Sequence, residues 1–140
     1  MRMRKTLFIL FFITGLLARQ PIIYFYVIPF DNIKDDPTVE WISTGLSDMV
    51  SNRFKSEPGL LIQGKNDLEI MMNDRSLMLK QPIASRNLLL LGKYFRQLEK
   101  INISIQIIDL ATWDQIEKKD LIAEYSDITK MKKEVDDNIS

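Results

Sequence analysis

From Ile22 onward the apolar positions fall into two rhythms. Ile22 to Phe30 (IIYFYVIPF) is β-branched and aromatic on both alternating sets of positions, as a central strand covered on both faces should be, and Pro29, with no N–H to donate, ends its pairing. The loop Asp31 to Asp36 follows. Asp36-Pro37 then reads as an N-cap with proline in the first helical turn, and Val39, Ile42, Leu46, Met49, Val50 and Phe54 recur at three- and four-residue spacing until Glu57-Pro58-Gly59 stops the helix. Leu60 to Gln63 is a short strand. Asn66, with Glu69 three residues later, predicts a capped second helix through about Leu79, burying Leu68, Met71, Met72 and Leu79, with a break at Pro82.

The second half changes rhythm. Leu88 to Arg96 and Ile101 to Asp109 read as strands of an antiparallel hairpin joined across Gln97 to Lys100. In the latter, Ile101, Ile103, Ile105 and Ile107 alternate with Asn102, Ser104, Gln106 and Ile108, so one face packs on the core and the other is largely wet. A last strand is expected between Gln115 and Tyr125, with Leu121 to Tyr125 as its best-marked part, because the charged Glu117-Lys118-Lys119-Asp120 leaves its start undefined. Asp127 then caps a helix bearing Ile128, Met131, Val135 and Ile139. The expected class is α/β: a mixed β-sheet of about five strands with two helices packed on one side, in the order β-α-β-α-β-β-β, plus a C-terminal helix.

Ahead of this fold, Arg2, Arg4 and Lys5 precede the apolar run Thr6 to Leu17, which ends at Ala18-Arg19-Gln20-Pro21. Its 12 residues fall short of the ~20 that cross a bilayer as a helix. A basic start, a short apolar stretch and a small residue before a polar break form a signal-peptide pattern. Residues 1–18 are therefore expected to be a signal peptide or, if uncleaved, an anchor to the inner membrane, and 19–140 the domain. Membrane contact is expected only through 1–18.

Composition narrows the chemistry. The 140 residues include no Cys and no His, which removes thiol nucleophiles, Cys- or His-held zinc, a Ser-His-Asp relay and lipidation on cysteine. Nineteen basic residues balance 19 acidic ones, and without residues 1–18 the balance becomes 16 to 19, a net charge of −3. With the remaining Lys and Arg spread among acids, no nucleic-acid partner is expected. Asp31, Asp35, Asp36 and Glu40 lack the alternating spacing of a calcium loop, and capping with charge at a helix N-terminus accounts for Asp36 and Glu40. Gly45, inside the first helix, implies close helix-to-sheet approach. Ser43, Ser47 and Ser51 have no base beside them and read as solvated or loosely packed hydroxyls. No catalytic, cofactor or metal residue is assigned, and no small-molecule substrate. The partner-binding candidates are Trp41, just before the apolar stripe, Trp113, in a turn, and the wet hairpin face with Asn102, Ser104 and Gln106.

Several strings, in order, resemble the N-terminal domain of TolB and its CsgG-like and FlgO-like relatives. They are Val27-Ile28-Pro29-Phe30-Asp31-Asn32, Asp36-Pro37, Trp41 to Asp48, Pro58-Gly59-Leu60, Leu90-Leu91-Gly92-Lys93-Tyr94 and Gln106-Ile107-Ile108-Asp109. Where relatives commonly carry Ala-Thr-Gly, this chain has Ala111-Thr112-Trp113, so its turn must be built differently. The resemblance implies a bacterial periplasmic α/β module that binds other cell-envelope proteins in envelope maintenance, secretion or assembly and catalyses nothing. The alternative it implies is a subunit of a CsgG-like oligomeric channel or structural assembly.

Overall fold

In the computed structural model residues 21–139 are described, and the expected signal or anchor segment, 1–18, lies outside them. β1 (Ile23–Val27) pairs in parallel with β3 (Leu60–Gln63) on one side and β4 (Arg86–Gln97) on the other. The two-residue β2 (Asp31–Asn32) joins β4 further along, and β4, β5 (Lys100–Asp109) and β6 (Gln115–Glu124) form an antiparallel meander. The spatial order is β3-β1-β4-β5-β6, a mixed six-stranded sheet counting β2. Among the described residues three α-helices accompany it: α1 (Trp41–Phe54), α2 (Lys65–Asn73) and α3 (Tyr125–Ile139). The mixed α/β class expected from the sequence is the one observed.

The helices divide between the two faces. Phe25 and Val27 point into a cluster with Ile42, Leu90, Tyr94, Ile101 and Ile128, so α1 and α3 share one side. Tyr26 and Leu89 point the other way, against Met71, Leu68 and Leu77, so α2 covers the opposite side rather than lying beside α1. Chain order explains this. The crossover β1-α1-β3 steps outward and β3-α2-β4 steps back past β1, and two right-handed crossovers in opposite directions place their helices on opposite faces.

Several boundaries differ from expectation for local reasons. The second helix starts two residues earlier than an Asn66 cap would place it: the Gly64 N–H donates to Asp67 Oδ2 at 2.9 Å. It ends at Asn73, because Asp74 caps a 3-10 turn over Arg75–Lys80 by accepting from the Ser76 N–H. Leu79, expected inside, falls beyond the helix and is exposed, as is Met72 within it. The hairpin turn shortens to Leu98-Glu99, with Gln97 paired to Lys100. The last strand includes the charged run as well, since β6 is the sheet edge and needs no apolar alternation. Asp127 lies in the first turn of α3, not before it.

Close approach falls at another glycine. A Cβ on Gly45 would meet Trp41 Cε3 at an ordinary 3.9 Å, whereas one on Gly92 would lie 2.4 Å from the Phe30 ring. Nor are Ser43 and Ser47 loose. Ser43 and Ser47 are buried, with Ser43 Oγ donating to the Phe30 carbonyl at 2.5 Å and Ser47 Oγ to the Thr44 carbonyl at 2.9 Å.

Candidate interaction surface

Strand alternation and register decide which side chains meet on the open part of the sheet. Lys93, Ser104 and Asp120 stand in one cross-strand row, Phe95, Asn102 and Ile122 in the next, and Leu91, Gln106 and Lys118 in the row below. This is the face α2 occupies, but α2 covers only its β1 side. The uncovered remainder holds a recess of about 260 Å³ whose lining includes apolar Ile33, Phe95 and Ile122, polar Asn102 and Ser104, and the charged pair of positions Lys93 and Asp120. Ile122 is 68% exposed there.

The loop after β2 builds one wall of this recess, and a buried polar lock holds it. Asn32 is buried; its Nδ2 donates to Glu40 Oε2 at 2.7 Å and to the Asp36 carbonyl at 2.8 Å. The Ile33 N–H donates to the Tyr94 carbonyl at 3.1 Å, and the fully buried Tyr94 hydroxyl donates to the Val39 carbonyl at 2.7 Å. Burial, helped by the negative charge of Glu40, pushes the Tyr94 hydroxyl up to about 12, so it stays a donor at any physiological pH. The lock sets Lys34 Nζ 4.4 Å from the centre of the Phe95 ring. Asp36 accepts from the Thr38 side chain and backbone, which lowers its carboxyl below the usual value. Of the acidic group, Asp36 is thus engaged in capping and Glu40 in holding the loop.

The five residues singled out in the sequence do not converge. Asn102, Ser104 and Gln106 share the open face. Trp41 lies on the other side of the sheet, half-buried, its ring 6.3 Å from that of Tyr125, which in turn has the Arg96 guanidinium 4.0 Å from its centre. Trp113 occupies the β5–β6 turn, 54% exposed, with Arg75 stacked at 5.2 Å. The Trp113 N–H donates to the Asp109 carbonyl at one end of β5, and the Tyr125 N–H donates to the Glu99 carbonyl at the other. Ten strand residues, about 30 Å, separate these ends. Trp113 also adopts φ +65°, a left-handed conformation that favours glycine. Phe95, Ile122 and Ile33 were invisible as site residues in the sequence, because only the register brings them beside Asn102 and Ser104.

β6 adds a second feature. It closes one side of the sheet, and every residue except Ala123 is exposed. Among the described residues no group of acidic side chains is placed to hold a metal ion, and no helix is long and apolar enough to cross a membrane.

No protein-family model matches the chain, and no curated protein does. Among solved structures, the LpoB C-terminal domain from Salmonella enterica is similar over 76% of this chain and 87% of its own, at 5% identity and a TM-score of 0.49. A PelC dodecamer from Paraburkholderia phytofirmans is similar over 76% and 74%, at 9% identity and 0.47. Lipoprotein GNA1162 from Neisseria meningitidis is similar over 75% and 81%, at 12% identity and 0.46. These are similarities of shape at low identity.

Proposed function

We propose that the chain is an exported, non-catalytic protein-interaction domain of the TolB N-terminal type, an adaptor for other cell-envelope proteins. The observation that carries this reading is the uncovered half of the sheet: a recess with apolar Phe95 and Ile122, polar Asn102 and Ser104 and charged Lys93 and Asp120, continuous with the open edge of β6. An edge strand beside an apolar recess suits an added strand, whose main chain bonds the edge while alternate side chains enter the pocket. The charged run Glu117 to Asp120 guards the same edge against indiscriminate pairing. The basic and apolar pattern of residues 1–18 supports the address.

The test is a photo-crosslinker placed at Ser104 in the full chain, followed through the osmotic-shock and membrane fractions. The expected result is one defined envelope-protein adduct from Ser104 and none from the exposed helix position Asp48. Protein retained in the cytosol, or the same adducts from both positions, contradicts the proposal.

A further inference from the structure

One end of the sheet carries apolar side chains that packing does not account for. Ile83 is 95% exposed, Leu79 87% and Trp113 54%. Hydrogen bonds place them at a common end. Arg75 reaches the Leu110 carbonyl and stacks on Trp113, the Leu110 N–H donates to the Asn87 carbonyl at 2.8 Å, and Gln81 pairs with Asn87 through their side chains. The Ser85 N–H donates to the Pro82 carbonyl at 3.1 Å, closing the loop that displays Ile83.

This is also the end that receives the N-terminal segment. The Arg86 N–H donates to the Ile22 carbonyl at 2.9 Å and the Ile23 N–H to the Gly59 carbonyl at 2.7 Å, fixing Pro21 beside the start of β4. Only Ala18, Arg19 and Gln20 separate Pro21 from Leu17, the last residue of the apolar run. Four residue steps span at most about 14 Å. An apolar run seated in a bilayer therefore holds this end, and not the opposite one, at the lipid surface.

We propose that the end formed by Leu79, Ile83 and Trp113 lies directly against that lipid surface, a contact beyond residues 1–18 themselves. Leu79 and Ile83 enter the boundary of the acyl chains, and Trp113 sits at headgroup level, where an amphipathic ring is favoured. Lys80, next to Leu79, and Arg75, stacked on Trp113, offset Asp74 and Asp114 at this end. The left-handed turn at Trp113 holds its ring in an exposed position. The inference rests on the exported reading with the apolar run retained. It leaves the open sheet face and β6 free for protein.

The chain has no Cys, so single-cysteine variants report one position each. Ile83→Cys tests the proposed contact. Leu98→Cys, 86% exposed in the β4–β5 turn at the far end of β4, is the control. Each full-length variant is labelled with an environment-sensitive fluorophore and reconstituted in vesicles of phosphatidylethanolamine with a minority of phosphatidylglycerol. The expected result is a several-fold, blue-shifted emission increase at position 83, quenched by brominated lipid, with no change at position 98. A wet probe at 83 overturns the proposal, as does equal protection at both positions. A change at 83 that needs no vesicles and grows with protein concentration overturns it in favour of a second copy. Export is read separately by cell fractionation, so its failure is distinguishable from failure of the lipid contact.

Discussion

A methyl group on Gly92 would lie 2.4 Å from Cδ2 and Cε2 of the Phe30 ring. The ring fits flat against β4 because that strand position has no side chain, and the Ser43 hydroxyl holds the Phe30 carbonyl from the α1 side. The chain leaving β1 is thereby pressed onto the sheet just before Asn32 begins the polar lock. Gly92→Ala is expected to cost about 1–3 kcal/mol as overpacking, read as a lowered urea midpoint at unchanged slope. Part of the loss should return in Gly92→Ala with Phe30→Leu, giving a favourable coupling in the double-mutant cycle.

Gly45→Ala should move stability the other way. The site has ordinary room for a Cβ and lies within a 14-residue helix, so the helical preference of alanine adds about 0.5–1 kcal/mol. Thermal melts of the two glycine variants should shift in opposite directions.

Tyr94 ties stability to alkaline pH. Its hydroxyl is pushed up to about 12 in the folded state from 10.0, so the neutral form is favoured by folding. The contribution is complete below about pH 10 and is lost as pH rises toward about 12. Tyr26, raised by burial and by Asp67, acts in the same direction. Tyr94→Phe leaves the Val39 carbonyl without its donor and should cost about 1–3 kcal/mol at neutral pH. Denaturant titrations between pH 9 and pH 12 should show a shallower alkaline decline for the variant.

Trp113→Gly separates surface from core. Relief of the left-handed conformation, about 1–2 kcal/mol, is offset by the lost contact with Arg75, about 0.5–1 kcal/mol, and by the greater unfolded-state freedom of glycine, about 0.5–1 kcal/mol. Stability is expected to stay within about 0.5 kcal/mol of the parent, with the chemical denaturation curve as the check. A large loss would make Trp113 a packing residue.

Much of the fold was legible because its signals are local. The stripe on α1, the alternation of β5 and the two-sided apolar character of β1 each survive in the structure. That two-sidedness already implied cover on both faces of the sheet, and α2 supplies the second cover. What escaped was non-local or competitive. Asp74 ends α2 by capping its own turn, a contest the apolar spacing does not record. β6 has no apolar rhythm because an edge strand with both faces wet requires none. Asn102 and Ser104 were visible as a wet face. Their apolar neighbours Phe95 and Ile122 were not, since each meets them only through strand register.

The central claim is that the recess beside β6 receives a protein partner. The most direct measurement compares crosslinking from Ser104 in the parent and in Ile122→Glu, a change at an exposed position that should leave the melting temperature within about 2 °C. Ile122→Glu replaces an apolar lining residue by a second carboxylate near Asp120, which removes apolar contact and disfavours an apolar side chain entering there. The account predicts that the Ser104 adduct falls at least severalfold in Ile122→Glu while the protein stays folded and exported. An undiminished adduct from a folded, exported variant would contradict it.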